Sequence, residues 1–296
     1  MKNTVFTGAA TAIVTPMKAD GSIDFDAFGK LIDWQIEEGI DAIVAVGTTG
    51  ESATLADDEH MEAVKFCIDR AAGRIPIIAG TGSNNTDHAI MFTKQAKELG
   101  ADAVLLVTPY YNKTTQIGLY ESFKAIAESC DIPCIIYNVP SRTGCNLLPA
   151  TVAKLAEIPN IVAVKEASGN ISQIAEIAQL CGDKIDIYSG NDDQIVPILS
   201  LGGKGVISVL SNIMPKETHD MCEAYFSGEY DKAREMQLRY LPLVNALFCE
   251  VNPIPAKAAV AAMGFGEYNI RLPLVKMEKA HEENLLSLMR EQNLIK

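Results

Sequence analysis

Short apolar runs alternate along this chain with longer segments whose apolar positions recur every three or four residues. The runs fall near 8–14, 41–47, 75–80, 102–108, 133–139, 161–167, 185–189 and 205–210. Runs rich in Ala, Val and Ile, bounded by Gly, Pro, Asn and Asp, read as strands buried on both faces. The segments between them read as amphipathic helices. One is predicted from Asp24 to Glu38, closing at Gly39. Another opens on Asp57-Asp58-Glu59, acids placed where the helix dipole favours them, and ends at Gly73. A third follows Thr86-Asp87 and ends at Gly100. Eight such units predict an α/β fold, a (β/α)8 TIM barrel, with a doubly wound open sheet as the alternative.

The alternation stops after residue 228. Tyr230 to Phe248 reads as one helix with a kink at Pro242, and Ala256–Met263 and Val275–Gln292 as two more. We therefore expect a barrel over 1–228 and a C-terminal helical segment over 229–296. No low-complexity linker separates them, so the second is expected to pack on the first.

The 296 residues, 48% of them hydrophobic, suffice for one large domain or two modest ones. A net charge of −13 argues against nucleic acid or an anionic membrane as partner. The seven cysteines form no CxxC pair, which fits reduced thiols in a cytoplasmic protein. The four histidines make no HExxH pattern, and nothing in their spacing calls for a metal. Met1 to Thr15 is broken by Thr4, Thr7, Gly8 and Thr11 and does not read as a leader peptide. No run reaches the roughly 18 apolar residues of a membrane span.

One position breaks the apolar pattern. Lys165 lies in the run Ile161-Val162-Ala163-Val164-Lys165-Glu166-Ala167. A lysine there must find a counter-charge or lose its proton. In the second case it becomes a nucleophile toward carbonyls, the chemistry of a Schiff-base enzyme. Its neighbours favour that case. In a barrel, strand C-terminal ends carry the site. Strand 2 ends in Gly47-Thr48-Thr49-Gly50-Glu51-Ser52, where two hydroxyls and backbone N–H groups suit a carboxylate; an ordinary glycine turn with a helix cap is the plain alternative. Strand 5 ends in Tyr137-Asn138-Val139-Pro140-Ser141-Arg142-Thr143-Gly144. A phenol beside a lysine can shuttle protons, and a guanidinium fork suits a carboxylate, although a loop arginine is as readily a surface ion pair. Strand 7 ends in Ser189-Gly190-Asn191-Asp192 on the same face, whereas Gly202-Gly203-Lys204-Gly205 precedes strand 8 and reads as a turn on the opposite face. Together these groups suit a small 2-oxo acid and an acceptor bearing a carboxylate.

Nearly end to end, the chain resembles the dihydrodipicolinate synthase family of pyruvate-dependent class I aldolases. The motifs are Gly47-Thr-Thr-Gly-Glu51, Tyr137-Asn-Val-Pro140 with Ser141-Arg-Thr-Gly144, Val164-Lys-Glu166 and Asn252-Pro-Ile-Pro-Ala-Lys257. The resemblance implies an imine between Lys165 and pyruvate, with Thr48 and Thr49 on the pyruvate carboxylate. It implies a proton relay of Thr49, Tyr137 and Tyr111, the last reaching into a neighbouring subunit's site, hence a tight dimer usually doubled into a homotetramer. Arg142 is expected to bind aspartate 4-semialdehyde, and Gly190 and Ile207 to line the pocket through backbone groups. No cofactor is expected, and the product feeds lysine and diaminopimelate synthesis. An N-acetylneuraminate lyase or 2-keto-3-deoxy sugar-acid aldolase shares Lys165 and Tyr137; Thr48 and Arg142 favour the synthase. A non-catalytic pyruvate or amino-acid sensor has no need to keep the relay, and a metal-dependent aldolase needs a ligand cluster the sequence lacks. Lysine-inhibited members use residues matched here by Ser52, Ala53, His60, Asn84 and Tyr110. Asp57 stands where histidine is common and His88 where glutamate is typical, so weak or absent lysine inhibition is expected.

Overall fold

The computed structural model describes residues 3–296; Met1 and Lys2, part of the stretch read as no leader, lie outside it. Eight parallel strands close into a barrel in chain order. They are β1 (Gly8–Ala12), β2 (Ala42–Ala45), β3 (Ile77–Gly80), β4 (Ala103–Val107), β5 (Cys134–Asn138), β6 (Ile161–Glu166), β7 (Asp186–Ser189) and β8 (Gly205–Ser208). The open-sheet alternative is thereby ruled out. Around them run α1 (Phe25–Glu37), α2 (Asp57–Ala71), α3 (Thr86–Leu99), α4 (Gln116–Glu128), α5 (Pro140–Thr143), α6 (Pro149–Leu155), α7 (Ile171–Cys181), α8 (Ile195–Ser200) and α9 (Pro215–Phe226). After them come α10 (Tyr230–Leu247), α11 (Ile254–Ala262) and α12 (Lys279–Glu291). Helix α10 runs through Pro242 unbroken.

Strand alternation sorts the core into two layers. Ile43, Ala79, Val104, Ile136, Val164, Ile187 and Val206 pack outward against the helices. Val44, Ile78, Leu105, Ile135, Ala163, Tyr188 and Ile207 fill the barrel interior. One irregularity decides what faces what. Cys134 pairs with Ile161, but Ile135 pairs with Ala163, so Val162 is an extra residue in β6. Without it the register would set Tyr137 against Val164. With it Tyr137 pairs with Lys165, and both point inward.

Helix boundaries differ from the sequence reading at two places. The last helix starts at Lys279 rather than Val275, because the Met277 and Glu278 N–H groups are taken by Tyr268 Oη and Glu250 Oε1. Helix α11 starts two residues early, with Pro255 in its first turn, where a missing N–H costs nothing. Among the described residues no helix is long and apolar enough to cross a membrane, and no disulfide joins the cysteines.

Candidate active site

A cavity of about 650 Å³ opens at the C-terminal ends of the strands. It is lined by Thr48, Thr49, Tyr137, Arg142, Lys165 and Gly190, among others. Lys165 is 5% exposed, and its Nζ lies over the Tyr137 ring, 4.3 Å from the centroid. It makes no ion pair among the described residues, so the paired-lysine alternative does not hold. Burial pushes the amine down to about 7, with Asp192 pulling it back up and Arg142 adding to the fall. Burial also pushes the Tyr137 phenol up to about 12. Near neutral pH the site thus sets an amine that releases its proton far more readily than an ordinary lysine against a protonated phenol.

Asp192 itself is buried, and its carboxylate pKa is raised by that burial. Its Oδ2 accepts from the Val209 and Leu210 N–H groups at 3.0 and 2.9 Å. The outward-facing neighbours of the catalytic pair form their own network. Asn138 Nδ2 donates to the Glu166 carboxylate at 3.2 Å, and Ser168 N–H donates to Glu166 Oε1 at 2.8 Å. Gly190 makes room for the lysine: a Cβ there would come within 2.7 Å of Ala167 Cβ and 3.1 Å of Lys165 Cε. Gly202–Lys204 lies before β8, which Gly205 opens, with the Lys204 carbonyl accepting from Gly8 N–H, away from the cavity as expected of a turn.

The loop after β2 is strained and then tied down. Val46 has φ 53°, in the left-handed region that a β-branched residue rarely enters, at a cost of roughly 1–3 kcal/mol. Gly80 permits it, since a Cβ there would lie 2.3 Å from the Val46 carbonyl oxygen. Three groups from beyond α10 hold the loop. Lys257 forms an ion pair with Glu51, both side chains almost wholly buried. Arg271 N–H donates to Glu51 Oε2 at 3.2 Å, and its guanidinium binds the Thr54 carbonyl and Glu59. Asn252 Nδ2 donates to Thr49 Oγ1 at 2.9 Å. The sequence reading quoted the Asn252–Lys257 motif without a role; its partners lie more than 200 residues away, and no local pattern shows them.

Two expected residues sit outside the cavity. Ile207 is fully buried in the barrel interior and is not among the lining residues. Tyr111 is 92% exposed, on a loop where its own φ is 68° and that of Lys113 is 48°. A second cavity of about 320 Å³ adjoins the first and is lined by Ser52, Ala53 and Tyr110. Asn84 donates to the Tyr110 carbonyl at 3.2 Å. His60 is turned away: its Nε2 meets the Gly80 carbonyl at 2.7 Å, and burial pushes the imidazole down to about 4. His88 Nε2 lies 3.1 Å from Asp57 Oδ2. No group of three or more metal-ligating side chains is placed to hold an ion among the described residues.

Similar proteins share this frame. The chain is 59% identical over 281 residues to the 4-hydroxy-tetrahydrodipicolinate synthase of Caldicellulosiruptor bescii, covering 95% of each chain. Its fold matches the crystal structure of the chloride-inhibited dihydrodipicolinate synthase of Acinetobacter baumannii complexed with pyruvate, with TM-score 0.96, 46% identity, and 99% and 100% of the two chains covered. It matches equally the Cyanidioschyzon merolae enzyme with lysine bound, with TM-score 0.96, 42% identity, and the same coverage. The profile of the dihydrodipicolinate synthetase family matches residues 5–292, nearly the whole chain that carries this cavity, and the chain belongs to that family.

Proposed function

We propose that this protein is a lyase that condenses pyruvate with L-aspartate 4-semialdehyde to 4-hydroxy-tetrahydrodipicolinate. The observation that carries the reading is the buried Lys165 amine, poised near 7 on the Tyr137 ring in a cavity that also holds Arg142. The neutral amine attacks the pyruvate carbonyl, and loss of water gives an imine. Loss of a methyl proton gives an enamine, whose carbon attacks the aldehyde. The acceptor's amine then displaces Lys165 and closes the ring. Thr48 and Thr49 hold the pyruvate carboxylate, and Tyr137 with Thr49 carries protons. The imine itself is the electron sink, so the reading needs no cofactor, and reduced thiols suit the cytoplasm.

Tyr111 completes the relay in a partner subunit in this reading. A tyrosine held 92% exposed on a strained loop, next to exposed Tyr110, supports a face that a second copy covers, and so a tight dimer; its doubling into a tetramer is carried by the family resemblance. The test is turnover with both substrates, coupled to a reductase consuming the product with NADPH oxidation. Brisk turnover supports the synthase. Pyruvate trapped by borohydride without turnover sends the acceptor search to sugar acids.

Arg142 is assigned to the semialdehyde carboxylate. Arg142→Ala is expected to raise the semialdehyde KM roughly 10–100-fold, the size of a lost charge-assisted contact, while the pyruvate KM moves little. Equal effects on both constants would place Arg142 elsewhere.

The second cavity is where lysine would bind. His88 brings no carboxylate, and that of Asp57 is engaged by the His88 ring, so this pair offers no free counter-charge for a lysine ammonium. Removing one side of a desolvated charge pair costs roughly 2–5 kcal/mol. Submillimolar lysine is therefore expected to leave steady-state turnover unchanged; half-inhibition in that range sinks the reading.

A further inference from the structure

The buried Asn252 side chain reaches the site from the segment after α10. It is 5% exposed and lines both cavities. Its Nδ2 donates to Thr49 Oγ1 at 2.9 Å, and its backbone carbonyl accepts from Arg142 Nη2 at 3.2 Å. Its Oδ1 has no hydrogen-bond partner, so the side chain is held through its amide N–H. A hydroxyl has one proton to give and two lone pairs to receive with. A donor locked onto one lone pair leaves the Thr49 proton unspent, to be given toward the reacting groups, and leaves one lone pair to take a proton back. An acceptor in the same place would consume that proton and block the exchange.

We infer that Asn252 is a positioning residue that sets the polarity of the Thr49 hydroxyl, and that it does so by the side chain alone. The inference rests on the reading of Thr49 as part of the relay. The backbone carbonyl that steadies Arg142 survives any side-chain change, so proton transfer and acceptor binding separate in the variants.

The experiment is a double-variant cycle between Asn252→Ala and Thr49→Val, with Asn252→Asp as the isosteric control. Thr49→Val is expected to lower kcat by roughly 10²-fold, the range of one acid–base group. Asn252→Ala lowers kcat and leaves the semialdehyde KM in place, and the double variant is no slower than Thr49→Val. Measured against the parent enzyme at each pH, Asn252→Asp is slow at alkaline pH and closes the gap toward acid, where its protonated carboxyl donates to Thr49 as the amide does. That acid recovery has no counterpart in a merely structural role, and it can be read even if the alanine variant fails to fold. Losses that multiply in the double variant, or an aspartate variant with the parent kcat and pH profile, overturn the inference. A Thr49→Val enzyme with the parent kcat removes the relay reading, and this one with it; a slow Thr49→Val with multiplying losses removes this one alone.

Discussion

Lys165→Ala protein, mixed with pyruvate and borohydride, gains no covalent adduct, and its turnover falls by roughly three orders of magnitude or more. Intact-protein mass spectrometry reads the first effect and the coupled assay the second. The loss is chemical rather than structural, because the substitution removes a buried amine that has no ion partner among the described residues. An adduct surviving in the variant would mean that another lysine is the nucleophile. The parent carries a second signature. Only the neutral amine attacks, so the trapping rate rises with pH through about 7 and then levels; a midpoint at the ordinary 10.5 would mean that burial does not tune the amine. The same shift appears in stability. Between about 7 and 10.5 the unfolded chain binds the proton that the folded one has released, so stability rises with pH across that window. Lys165→Ala loses that rise.

The second large effect is expected at Lys257→Ala. The Glu51 carboxylate would be left fully buried without its ammonium partner. Stranding one member of a buried pair costs roughly 3–5 kcal/mol, far above the value of a surface ion pair. Denaturant unfolding should show that loss in the midpoint, and the pyruvate KM should rise as Thr48 and Thr49 lose their tether. Burial pulls the Lys257 pKa down, and Glu51 pulls it part of the way back up. A loss under about 1 kcal/mol would mean that water reaches the pair on relaxation.

The barrel was legible because strand–helix alternation is a local property, carried in each unit's own residues. Lys165 stood out for the same reason: one charge inside an apolar run is visible without a partner. What brings Tyr137 against it was not legible. The extra residue at Val162 leaves the run apolar, so the register shift has no mark in the sequence. Val46 is likewise an ordinary strand residue by type, and its left-handed φ follows from glycines brought close by folding. Asn252, Lys257 and Arg271 act across more than 200 residues of chain, where periodicity carries no information. Tyr111, Ile207 and the lysine-cleft positions came from resemblance alone. The structure brings Ser52, Ala53 and Tyr110 onto one cavity, but turns His60 away and buries Ile207 beneath the site.

The clamp on the β2 loop also has a consequence in time. A ribosome delivers the catalytic loop and Lys165 in the first part of the chain, but the groups that fix that loop arrive at 252, 257 and 271. A nascent barrel can therefore carry its nucleophile well before it carries a rigid site. Competence comes only when the last stretch of polypeptide has emerged and folded back, so a chain stalled short of it would be an inactive one.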